Sequence, residues 1–179
     1  PGQDMMMVMS QSISHGKKAG IITALGVSFG LLGHTLLATI GLGSLLMTST
    51  WLFDVIKFIG AAYLIYIGYQ LLVSKEPKLA IKTLPKASYK KMFIQGALTN
   101  IMNPKIAIFY FSYLPQFVTL NTGNESLQLF TLGITYAILA FLIKAPIGFI
   151  SGSLSFQIQE KPMILKYINK KHINLYKKR

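Results

Sequence analysis

AGIITALGVSFGLLGHTLLATIGLGSLLMT, residues 19–48, decides the fold. Its 30 positions contain no Asp, Glu, Lys or Arg. About 20 mainly apolar residues in a helix cross the ~30 Å hydrocarbon core of a bilayer. This stretch therefore predicts a membrane-spanning helix. Residues 58–74, 106–124 and 126–143 are also charge-free. The pattern predicts an all-α, polytopic membrane bundle with helices over about 4–15, 19–47, 51–74, 92–114 and 126–156. These form a transmembrane domain over 1–156, interrupted by a basic loop at 75–91 and followed by a basic tail at 157–179. Of the 179 residues, 52% are hydrophobic and 13% charged, against about 25% charged in soluble domains. A soluble or disordered domain is excluded.

The net charge of +13, from 18 basic and five acidic residues, raises nucleic-acid binding as an option. Placement argues against it. Fifteen of the basic residues fall in the turn at 16–18, the 75–91 loop and the tail. The turns at 48–50 and 115–125 carry none. Lys/Arg-rich loops stay cytoplasmic. The helix over 19–47 then runs outward, 51–74 returns, 92–114 runs outward and 126–156 returns. The excess charge is a topology signal, and no nucleic-acid partner is expected.

The chain has no cysteine, which excludes disulfides, thiolate metal sites and cysteine nucleophiles. Neither H-E-x-x-H nor a P-loop occurs, and no cofactor is expected. Met5, Met6, Met7 and Met9 read as packing residues rather than metal ligands, because no Cys or His accompanies them. An intramembrane enzyme would need paired carboxylates or a nucleophile–base dyad. Asp4 and Asp54 are expected at different depths, so no enzyme is expected.

Charges inside spans are costly and mark function by default. Asp54 and Lys57 share one face of the 51–74 helix near its outer end, where an interfacial pair is expected. Lys144 either reaches a carbonyl freed by Pro146 or the cytoplasmic surface, or lines a cavity. His34 either relays protons or hydrogen-bonds across a helix interface. Gly26 and Gly30 form G-x-x-x-G, read either as a close helix contact or as ordinary membrane-helix composition. Lys105, in Asn103-Pro104-Lys105, lies about 20 Å into its span, at a proline break. Broken helices at that depth are tolerated only inside protein or beside a cavity. Pro1-Gly2-Gln3-Asp4 is a second break carrying a charge. Paired breaks in oppositely directed helices point to a transporter site, with Asp4 and Lys105 as opposite charges.

Four segments carry a resemblance. PGQD (1–4), SHGKKAG (14–20), FDVIKFIGAAYLIYIGYQLL (53–72) and FIQGALTNIMNPKIAIFYFSYLPQFV (93–118) resemble the LysE/RhtB family. These are the lysine and homoserine–threonine exporters of the bacterial inner membrane. The resemblance implies an inverted 3+3 helix architecture and export of amino acids or derivatives by proton antiport. The partners implied are an amino-acid substrate, protons and the lipid bilayer, with homo-oligomerisation left open. It implies a multi-pass protein of the inner (plasma) membrane. Carried over by position, the site candidates are Pro1, Gly2, Asp4, Asn103, Pro104 and Lys105, with Lys57 from the third helix. His34 and Lys144 join as secondary candidates. Gln3 stands where the family has a second proline. The half-helix before Pro1 and a sixth apolar helix after Asn169 are missing from this pattern, so a chain truncated at both ends is expected. The alternative function is a non-transporting remnant or assembly partner.

Overall fold

The computed structural model describes residues 2–73, 87–120 and 122–159. Pro1, residues 75–86 of the basic loop and residues 160–179 of the tail lie outside them. Every regular element among the described residues is helical: α1 (Gln3–His15), α2 (Lys17–Thr48), α3 (Thr50–Val73), α4 (Tyr89–Ile101), α5 (Pro104–Tyr113) and α6 (Glu125–Gln159), with a 3-10 turn at Leu114–Phe117. Among the described residues, three stretches are long and apolar enough to cross a membrane: Lys17–Leu45, Trp51–Gln70 and Glu125–Ser155.

The bundle is built around α2, which packs on each of the other five helices. Over half (56%) of its most apolar stretch is buried inside the protein, against 11% for α3 and 22% for α6. The apolar residues left outside are large. Phe58, Ile65 and Leu72 are all exposed, at heptad spacing along α3. In water such a face would be an aggregation liability; in lipid it is the solvated face.

Close approach, not composition alone, explains the G-x-x-x-G pair. A Cβ at Gly26 would collide with the Phe93 carbonyl, and one at Gly30 would lie 2.7 Å from the Ala97 carbonyl. The seam is reciprocal, since a Cβ at Gly96 would lie 2.7 Å from the Thr23 carbonyl. Backbones meet here because no side chain stands between them. Gly16, at φ +88°, is the single residue joining α1 to α2, in a conformation few other residues adopt.

The expected helix over 92–114 is two helices. Pro104 has no N–H, and the residue before it is driven to extended geometry. Asn103 sits at φ −83°, ψ 103°, and its side-chain oxygen accepts from the Lys105 N–H at 3.1 Å, capping α5. Its carbonyl accepts from the Ile106 and Ala107 N–H groups, both at 3.1 Å. The break thus leaves few backbone groups unsatisfied, as the membrane interior requires.

Candidate functional site

α1 begins at Gln3 because Gly2 takes an extended N-cap conformation, and the Gly2 carbonyl accepts from the Met6 N–H at 3.1 Å. Asp4 therefore sits in the first turn, where the helix dipole favours a negative charge. It is only 5% exposed. Asn100 Nδ2 of α4 donates to Asp4 Oδ2 at 2.7 Å. Lys144 Nζ of α6 lies 3.8 Å from the same oxygen, with its side chain 16% exposed. Three helices thus meet at one carboxylate, and the buried charges cancel. Asp4 Oδ1 and Asn100 Oδ1 find no hydrogen-bond partner among the described residues. The site holds two unused acceptors beside one cation.

A second polar group adjoins it. His34 Nε2 of α2 lies 3.1 Å from the Asn100 carbonyl. A carbonyl only accepts, so Nε2 carries the proton and Nδ1 is left without a partner among the described residues. The His34 ring lies 5.8 Å from that of Tyr110 on α5. The buried Tyr110 hydroxyl donates to the Gly133 carbonyl at 2.9 Å and shares a 2.9 Å bond with Thr35 Oγ1. α2, α4, α5 and α6 are tied together through polar groups at this level. Towards the Gly16 end, Gln11 Nε2 donates to Gln95 Oε1 at 3.4 Å, a further α1–α4 link.

Depth follows from the helical rise. Asp4 is about 18 Å along α1 from the Gly16 turn, and Asn100 about 17 Å into α4 from Tyr89. Both lie far from the lysine-bearing ends. Of the residues expected from sequence, Asp4, His34 and Lys144 are brought together. His34 makes the cross-interface bond that was one of its two readings. The Lys144 ammonium faces the Asp4 carboxylate. Gly2 is the N-cap of α1, and Asn103 caps α5 at the α4–α5 break. Pro104 opens α5 and is exposed, as is Lys105. Among the described residues the ion pair is Asp4–Lys144, so Asp4 and Lys105 are not joined. Asp54 and Lys57 are half-buried on α3 and form no ion pair with each other. Pro1 lies outside the described residues. No cluster of metal-ligating side chains occurs among the described residues.

Asn100, Tyr110 and Thr35 were not anticipated. A signal for Asn100 was present: it stands four residues before Pro104, so its carbonyl is the one that proline cannot serve.

A family model for LysE type translocators matches residues 1–171, almost the whole chain. The chain belongs to that family. The family is one of membrane translocators. The chain is 40% identical over 151 residues to the uncharacterized membrane protein YrhP of Bacillus subtilis (strain 168), covering 79% of this chain and 71% of the relative. It is 30% identical over 170 residues to an uncharacterized membrane protein of Vibrio cholerae serotype O1, covering 95% and 82%. A protein of Klebsiella pneumoniae named leucine efflux protein is 30% identical over 145 residues, covering 79% of this chain and 67% of the relative. No solved structure matches.

Proposed function

We propose that this translocator exports amino acids or their derivatives across the bacterial inner membrane by proton antiport. The Asp4–Lys144 pair carries this reading. Relatives named leucine efflux protein supply the substrate class. A zwitterion needs one anion and one cation at its amino-acid end, and the site offers both. In the proposed cycle the substrate ammonium docks on Asp4 Oδ1, and its carboxylate takes Lys144. A proton on the Asp4 carboxylate removes the negative charge and expels the ammonium. Proton and substrate thus exclude one another at a single group, which is what antiport requires. Gly2 at the start of α1, and Asn103, Pro104 and Lys105 at the start of α5, are further candidates, as are Pro1 and Lys57. An inverted 3+3 repeat would supply the alternating access.

The test is efflux of labelled leucine from inverted or right-side-out vesicles, with the pH gradient imposed or collapsed. Gradient-driven efflux from wild type, abolished in Asp4→Asn, is the expected result. Gradient-independent release would refute antiport. No release from correctly inserted wild-type protein would refute transport and favour the remnant reading.

A further inference from the structure

In a continuous helix the carbonyl of residue 100 would accept from the N–H of residue 104. That residue is Pro104, which has no N–H. The Asn103 N–H takes one lone pair of the Asn100 carbonyl in a tightened turn at 3.0 Å. The other is taken by His34 Nε2 at 3.1 Å, from a different helix. The same Asn100 uses its side chain to hold Asp4. One residue therefore joins the helix break to the buried carboxylate, and His34 fastens it from α2.

We propose that His34 is a positioning residue, a latch that replaces the hydrogen bond Pro104 cannot make. It fixes the last turn of α4 so that the Asn100 amide stays on Asp4. His34 itself touches no substrate. When the break flexes during transport, the latch is the bond that opens. Its transport consequence rests on the reading of Asp4 as the transport carboxylate; its effect on the break does not.

Three variants of the full chain test it. His34→Leu removes the donor. His34→Gln restores an N–H donor on a side chain of similar reach. Pro104→Ala returns the missing N–H to residue 104 and makes the latch redundant. The chain has no cysteine, so Met102→Cys, at an exposed position in the break, carries a unique spin label. In reconstituted protein, His34→Leu should raise label mobility at 102 and raise KM for labelled leucine about fivefold, the loss of one net hydrogen bond. His34→Gln should return both towards wild type. In the Pro104→Ala background, His34→Leu should change neither. Wild-type mobility in folded His34→Leu protein overturns the latch. So does an equal effect of His34→Leu with and without Pro104. A failure of wild type to transport leaves the mobility readout intact and counts against the transport function alone.

Discussion

Neutralising one member of the Asp4–Lys144 pair should cost far more than neutralising both. At 3.8 Å and an effective dielectric of about 20, the gross attraction is about 4 kcal/mol. Lys144→Met leaves Asp4 buried with Asn100 as its remaining neutral donor among the described residues. Breaking a buried pair in this way typically costs about 3–5 kcal/mol, because the surviving charge keeps its desolvation penalty. Asp4→Asn strands Lys144 similarly, although Asn at position 4 can still accept from Asn100. The double variant holds no buried charge and should recover most of the loss. A coupling energy of about 2–4 kcal/mol is expected, equivalent to a melting shift of about 10 °C between the observed and additive double variant. The assay is a double-mutant cycle by thermal unfolding in detergent micelles, run on all four proteins. Recovery of stability without recovery of efflux would separate the structural role of the pair from its proposed chemical one. Single effects that add within about 0.5 kcal/mol would refute the claim that these groups interact.

Gly26→Ala should drive α2 and α4 apart, since its Cβ would meet the Phe93 backbone rather than a flexible tip. A loss of about 1–3 kcal/mol in the same unfolding assay is expected, as for overpacking elsewhere. Tyr110→Phe keeps the ring beside His34 but removes the hydroxyl's bonds to the Gly133 carbonyl and to Thr35 Oγ1, which keeps its bond to the Leu31 carbonyl. It should cost about 1–2 kcal/mol, and wild-type stability would argue that the hydroxyl bonds are not formed. Lys105→Met should leave the melting temperature within about 1–2 °C, since its exposed side chain has no ion-pair partner among the described residues. Its efflux rate decides whether the break itself contacts substrate.

The long apolar helices α2, α3 and α6 were legible because burial in lipid forbids charge, and the sequence keeps its charges largely out of them. The α4–α5 break was legible in Pro104, and the α2–α4 seam in the spacing of Gly26 and Gly30. The partner of Asp4 was not. Pairing it with Lys105 matched two residues by depth and by the likeness of their helix breaks. Contact also requires the right azimuth. Lys105 lies on the outer side of α5, beside exposed Pro104 and Ile108. Lys144 lies on the stripe of α6 marked by Gly133, Ala137, Ala140, Gly148 and Gly152, all buried. Small residues every three or four positions mark the face that meets a neighbouring helix. A lysine on that stripe points inward, and this was readable before any coordinates.

The compensated pair also sets how the proposed cycle responds to voltage. With a zwitterion bound, Asp4, Lys144 and the substrate sum to zero charge. With a proton on Asp4, Lys144 leaves the site at +1. Returning the protonated site inward therefore carries one positive charge, while outward movement with substrate carries none. One elementary charge across 100 mV is worth about 2.3 kcal/mol, roughly a fiftyfold bias in the limit of full traversal. An inside-negative potential imposed by potassium and valinomycin, at equal pH on both sides, should therefore accelerate leucine efflux from right-side-out vesicles. Asp4→Asn should abolish the acceleration, because the proton has nowhere to bind. Efflux that follows the pH gradient but ignores the potential would mean that a second charge travels with the proton. The mechanism would then need an anionic partner for Lys144 in the protonated state, and the neutral Asp4–Lys144 pair alone would no longer describe the carrier.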